Sequence, residues 1–252
     1  MKTLDLNCDM GESFGAWRMG DDAAVLEHVS SVNLACGFHA GDPTTIRTTM
    51  AAALARGVAV GAHPSLPDLP GFGRREMSIQ PQEAYDLMLY QIGAVAAFAR
   101  ASGSGLHHVK PHGALYNMAA KNPELAAAIA RAVRDFDSSL ILYGLSGSEL
   151  IRAGRQAGIA VASEVFSDRT YQSDGSLAPR GLPNSVIHDL GEAVAQVGRM
   201  VTEGRVRCID GKDIAIEADT LCIHGDAPQA PAFARAIRAE LERLGVAVRA
   251  PG

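Results

Sequence analysis

The sequence has no paired cysteine motif: Cys8, Cys36, Cys208 and Cys222 form neither a CxxC nor a zinc-ribbon spacing. A chain of 252 residues needs no disulfide staples, and isolated thiols suit a reducing, cytoplasmic setting. No apolar run is long enough to span a bilayer. The most apolar uncharged one, Leu87 to Ala99, has 13 residues, against about 20 for a spanning helix, and reads as a buried amphipathic helix. Nor is there a basic excess: 23 Lys and Arg stand against 28 Asp and Glu, a net charge of −5, which argues against nucleic acid as a partner. The opening MKTLDLNCDMGE puts charge where a signal peptide needs an apolar core, so export is not expected. Nucleotide fingerprints are missing too. There is no GxxxxGK[ST], since Gly211-Lys212 precedes Asp213, no GxGxxG between a strand and a helix, and no GxSxG elbow.

What is present is a globular composition, 47% hydrophobic and 20% charged, too apolar and evenly charged for disorder. Short aliphatic runs alternate with helical patterns along the chain. Strands are expected at Thr3–Asn7, Val32–Ala35, Val58–Gly61, His107–Lys110, Leu140–Gly144, Ile159–Glu164 and Thr220–His224. Helices announce themselves by their ends. Asp42-Pro43 and Asn122-Pro123 pair an N-cap with a first-turn proline. Ser146 with Glu149, and Asp189 with Glu192, have capping-box spacing. Phe233, Ile237 and Leu241 mark the buried face of the last helix, which stops at Gly245. A hairpin is expected about Asp210-Gly211, between Arg205 and Glu217. Seven strand–helix alternations predict a parallel sheet with right-handed crossovers. With no linker or internal repeat, residues 1–252 read as one domain.

The residues just past each strand decide between an open sheet and a barrel. They include Asn7, Asp9 and Glu12; His39 and Asp42; His63; Lys110 and His112; Glu164, Asp168 and Arg169; and His224 and Asp226. Six of the seven strand ends thus supply a group able to move protons, bind metal or clamp an anion. A (β/α) barrel collects its site from all of those C-terminal loops, whereas an open sheet concentrates it at one switch point. The loops CGFHAGDP, GAHPSLPDLPGFGRR, KPHGALY and HGDAP are rich in Gly and Pro; Ala101–Leu106 and Gly154–Gly158, on the opposite rim, carry no such chemistry. Each residue also has a plainer role available. Asp9 could cap backbone amides, His39 and His63 could be satisfied core histidines, and an N-cap role accounts for Asp42 completely. Lys110 at a buried strand end needs an anionic partner. At least one of His107 and His108 should be core. Arg74, Arg75 and Arg180 fall in long loops, where solvated surface is the default and a phosphate contact the alternative. Cys8 and Cys36 read as packing residues. Two carboxylates, several histidines and a lysine around one cavity suit proton transfer near neutral pH, or a metal held by Asp9, His39 and His63. Both lead to hydrolysis of an amide or ester in a small polar substrate.

The blocks DLNCDMGE, NLACGFHAGDP, GAHPSLPD with GFGRR, HVKPHGALYN, FSDRTY and HGD, in order from Leu4 to Asp226, resemble the LamB/YcsF family, the A-type components of prokaryotic 5-oxoprolinases. The resemblance implies an irregular seven-stranded barrel of the glycoside hydrolase/deacetylase type. It implies ATP-dependent opening of the 5-oxo-L-proline lactam to L-glutamate, with ATP and Mg2+ as co-substrate and the B and C subunits as partners. Within that frame Asp9, with His39 or His63, is assigned to proton transfer and Lys110 and Arg169 to charge stabilisation. Glu12, His112 and Asp168 join the catalytic set, while Asn7, Asp42, Glu164, His224 and Asp226 contact substrate. The rivals are a metal-dependent amidohydrolase or deacetylase acting alone and a non-catalytic substrate-binding subunit.

Overall fold

The structure, a computed structural model, describes residues 2–225 and 229–252. In chain order its elements are β1 (Thr3–Met10), α1 (Asp22–Val25), β2 (Ser31–Ala35), α2 (Pro43–Leu54), β3 (Ala59–His63), α3 (Pro81–Ala101), β4 (His108–Val109), α4 (Gly113–Ala119) and α5 (Pro123–Phe136). There follow β5 (Ile141–Leu145), α6 (Glu149–Ala157), β6 (Val161–Phe166), α7 (Leu190–Glu203), β7 (Arg205–Arg207), β8 (Asp213–Ala215), β9 (Thr220–Ile223), α8 (Ala230–Arg243) and β10 (Ala247–Val248).

Strands β1 through β6 and then β9 are each parallel to the next, and β9 pairs back onto β1 with Asp5 opposite Thr220 and Cys8 opposite Ile223. Among the described residues this closes a seven-stranded parallel barrel, an α/β fold with every expected strand in place. The antiparallel pair β7–β8 is the hairpin expected about Asp210-Gly211. The short β10 adds outside the ring, beside the start of β1.

The helices follow their caps. Asp42 accepts the Thr45 N–H, Asn122 those of Glu124 and Leu125, and Asp189 that of Glu192. The cap of α6 is Ser148, whose hydroxyl faces the Ile151 N–H, and not Ser146. Ser146 lies beyond the end of β5, where its hydroxyl accepts the Glu217 N–H. The run Leu87–Ala99 lies in α3, which buries Met88, Ile92, Val95 and Ala99 and also Gln91. Gln91 exchanges hydrogen bonds with the backbone of Ser65 and so fixes the loop after β3. No helix among the described residues is long and apolar enough to cross a membrane.

The barrel interior is polar. Along β1 the side chains alternate, as a strand requires. Leu4, Leu6, Cys8 and Met10 join the hydrophobic core, whereas Asp5, Asn7 and Asp9 enter a hydrogen-bonded column. Asp5 accepts from Ser30, Ser31, Tyr143 and Thr220. Above it, Asn33 donates to both Asn7 and Asp9 at 2.8 Å, and His108 Nε2 donates to the Asn33 carbonyl oxygen at 2.7 Å. His108 is therefore the core histidine of its pair, stacked on Tyr143. Gly61 faces it across the sheet, and a Cβ there would run into the imidazole. Burying a polar group without a partner is costly, and this column meets that requirement by pairing its members with one another.

Candidate active site

The top of the polar column is the floor of a cavity of about 350 Å3, into which Asp9, His63, Lys110, His112, Arg169 and His224 all project. That is within the size range of small-molecule sites. Asp9 is the last inward residue of β1 rather than a loop residue, because the strand continues to Met10. Lys110 follows β4 and is buried; its Nζ lies 2.7 Å from Glu164 Oε1, 3.0 Å from Asp9 Oδ1, 3.2 Å from Asn7 Oδ1 and 3.2 Å from Cys222 Sγ. Glu164 is completed by Asn7 Nδ2 at 3.0 Å and the Tyr116 hydroxyl at 2.7 Å. Burial would push the Asp9 carboxyl up, yet His63 and Lys110 together hold it well below the usual carboxylate range. Burial would likewise lower Lys110, but Asp9, Cys222 and Glu164 raise it well above the ordinary lysine value. The floor is thus an ionised network at neutral pH, with Asp9 a carboxylate and Lys110 an ammonium.

Beside it lies a cluster of three histidines. His63 Nδ1–H donates to the Lys110 carbonyl oxygen at 2.7 Å, which leaves Nε2 facing Asp9 Oδ2 at 3.3 Å and His112 Nδ1 at 3.0 Å. His112 Nε2–H donates to the Phe72 carbonyl oxygen at 2.9 Å. His39 stacks on His112 with ring centres 3.9 Å apart, and its Nε2 stands 3.6 Å from Glu12 Oε1. Burial and the neighbouring histidines hold His39 and His112 well below the ordinary histidine value, so both rings are neutral. One donor atom each from Glu12, His39, His63 and His112 lies within 4.8 Å of the others, a group that could hold a metal ion. Asp9 is not part of this group. It falls with Cys222 and His224 in a second one, where the Lys110 ammonium already touches both Asp9 and Cys222.

The remaining expected residues divide. Asp168 accepts from His224 Nδ1 at 2.7 Å, and His224 Nε2 meets Arg180 at 3.3 Å, so this pair orients one wall of the cavity. Arg169 is buried, and its guanidinium donates to the carbonyls of Ser185 and Ala178, which staples the loop after β6. Burial and the nearby Arg180 lower it to about 10. Asp42 does not line the cavity: its two oxygens accept the N–H groups of Thr45 and Gly15. Asp226 lies outside the described residues. Among the loop arginines, Arg74 and Arg180 line the cavity, while Arg75 pairs with Asp68. Cys8 and Cys36 are buried packing residues; burial pushes both thiols up, that of Cys36 to about 12.

Sequence reasoning missed Asn33, Tyr116, Thr220 and Cys222. The period-2 polar positions of DLNCD, matched by Ser31 and Asn33 in β2, carried a signal for the inner column. Tyr116 left none, since an aromatic on a helix reads as core.

The sequence profile described as the LamB/YcsF family matches residues 4–252. A protein from Bordetella parapertussis, named as the A subunit of 5-oxoprolinase, is 65% identical over 247 residues, covering 98% of each chain. One of the same name from Geobacillus kaustophilus is 59% identical over 251 residues, covering 100% of this chain and 98% of its own. The crystal structure of a lactam utilization protein from Thermus thermophilus superposes with a TM-score of 0.93 at 53% identity, covering 100% of both chains. A family 4 carbohydrate esterase from Streptomyces lividans, at 14% identity and a TM-score of 0.50, covering 98% of this chain and 91% of its own, shares the fold alone.

Proposed function

The chain belongs to the LamB/YcsF family, and from that premise we propose that it serves an ATP-dependent 5-oxoprolinase as its A-type component. In this reading it opens the lactam of 5-oxo-L-proline to L-glutamate, with ATP and Mg2+ as co-substrate and with B and C subunits as partners. Relatives 58–65% identical over nearly their full length are named as that component of 5-oxoprolinase. The observation that carries the reading is the ionised floor, in which Asp9 meets His63 and Lys110 at the base of a cavity lined by Arg74 and Arg180.

The chemistry suits those residues. A five-membered lactam is unstrained and resonance-stabilised, so direct hydrolysis has a high barrier and little driving force. Transfer of the γ-phosphoryl group to the lactam oxygen forms a P–O bond, breaks the bridge to the β-phosphate and releases ADP as the ring N–H proton departs. Water adds to the activated carbon, and the ring nitrogen leaves with a proton to give an acyl phosphate. A second water converts that to the γ-carboxylate and phosphate. Asp9, beside His63, moves the protons of the attacking water and departing nitrogen. Lys110 offsets charge developing on oxygen, and Arg74 and Arg180 engage the substrate carboxylate or phosphoryl oxygens. His112 and His224 complete the walls, Glu164 and Asn7 hold Lys110, and Arg169 shapes the loop. The free buried thiols accord with a cytoplasmic setting.

The test is to measure ADP and glutamate formed from 5-oxoproline by this chain alone and with its partner subunits. Glutamate that requires ATP and the full mixture supports the proposal. The Glu12–His39–His63–His112 group favours one rival, a hydrolase acting alone; glutamate formed by the isolated chain without ATP would establish that rival instead.

A further inference from the structure

We propose that Glu12, His39, His63 and His112 form a binding site for one divalent transition-metal ion of the zinc class, beside the floor network, with Asp9 next to its His63 ligand rather than among its ligands. The argument begins with two nitrogens. His63 uses Nδ1–H on the Lys110 carbonyl and His112 uses Nε2–H on the Phe72 carbonyl. Their remaining nitrogens, His63 Nε2 and His112 Nδ1, lie 3.0 Å apart. With those protons so placed both nitrogens turn lone pairs toward each other, and His63 Nε2 also faces Asp9 Oδ2 at 3.3 Å, an arrangement that a positive centre between them, a proton or a metal ion, would stabilise. Two imidazole nitrogens bound to one tetrahedral zinc at about 2.0–2.1 Å stand about 3.3 Å apart, close to this spacing.

His39 decides between the two. It is 1% exposed, and neither ring nitrogen has a hydrogen-bond partner among the described residues. A proton shared by His63 and His112 does nothing for His39, whereas a metal ion satisfies all three rings and takes the Glu12 carboxylate as a fourth ligand. Because His39 stacks parallel on His112, its lone pairs do not yet converge with those of its neighbour. It is also the ring of the three that no hydrogen bond pins. The carbonyl partners of His63 and His112 are the outer contacts that fix metal-binding imidazoles in one tautomer. Three nitrogens and one carboxylate select zinc, cobalt and their neighbours over magnesium or calcium, which prefer all-oxygen sites.

The experiment uses the full chain stripped with chelator. Zn2+ is titrated calorimetrically, and Co2+ is followed by its visible d–d absorption. One equivalent should bind with the absorption of a low-coordinate site. His39→Ala should weaken binding at least about 10-fold, and Glu12→Gln, which keeps the side-chain shape, should do so in a chain whose circular dichroism is unchanged. Replacement of the exposed His188 should leave binding intact. Absence of saturable binding, or binding that survives both His39→Ala and Glu12→Gln, would overturn the site. So would a nitrogen-15 spectrum showing one proton held between His63 and His112 and unmoved by Zn2+. Metal binding is read directly, so it can fail while ATP-dependent glutamate formation succeeds, and the reverse.

Discussion

Lys110 Nζ lies 2.7 Å from Glu164 Oε1 in a barrel interior where Glu164 is 0% exposed. Neither charge reaches bulk water, so each depends on the other. Removing one partner of such a pair typically costs about 3–5 kcal/mol, because the survivor stays buried and unpaired. Lys110→Met should destabilise the fold by that order in urea unfolding, and the double variant with Glu164→Gln should recover part of the loss. Equal stability of Lys110→Met and the parent chain would show that the pair is not coupled.

Gly73 closes the loop over the histidines with φ of +63°, and a Cβ there would lie 2.9 Å from both His112 Cδ2 and His39 Cβ. The left-handed backbone alone costs a non-glycine residue about 1–2 kcal/mol. Gly73→Ala should therefore lower thermal stability and reduce turnover by moving the Phe72 carbonyl off His112. A variant with parental melting temperature and turnover would refute the tight approach.

The thiols of Cys8, Cys36 and Cys222 are buried, and burial raises all three. A disulfide reagent at neutral pH should leave these three unmodified in the native protein, and Cys208, also buried, with them, and should label all four after denaturation. Rapid native labelling of Cys222 would contradict the closed floor.

Much of this was legible from sequence because the punctuation is strong. Asp42-Pro43, Asn122-Pro123 and Asp189 mark helix starts by hydrogen-bonding chemistry that acts locally, and the aliphatic runs between them are too short for anything but strands. The strand ends in turn gather Asp9, His63, Lys110 and His112 around one cavity from the order of residues alone. Legibility failed where a role depends on distant partners. Arg169 reads as an anion clamp until its loop folds back and offers the Ser185 and Ala178 carbonyls. Glu12 with His39, and Tyr116 with Glu164, meet only through barrel closure. Ser146 lost the cap of α6 to Ser148 through a shift of two residues, below what propensity resolves.

The Asp168–His224 pair gives a pH signature. Burial works to raise the Asp168 carboxyl, but His224, Arg180 and Arg169 outweigh it and hold the folded value below the ordinary one. A lowered folded pKa contributes stability above the unfolded value, about 3.9, and that contribution disappears as pH falls through the folded value. Asp168→Asn should cost about 1–3 kcal/mol at neutral pH, and its deficit should shrink as the pH drops below about 4. A deficit that grows on acidification would reverse the sign of the pairing.

The most direct test of the central claim, that Asp9 at the cavity floor drives lactam opening, is glutamate formation by the assembled complex carrying Asp9→Asn. The substitution keeps the side-chain shape, so the circular dichroism should match the parent. Turnover should fall by at least about 10²-fold. Parental glutamate formation by the folded variant would contradict the assignment and place the chemistry elsewhere.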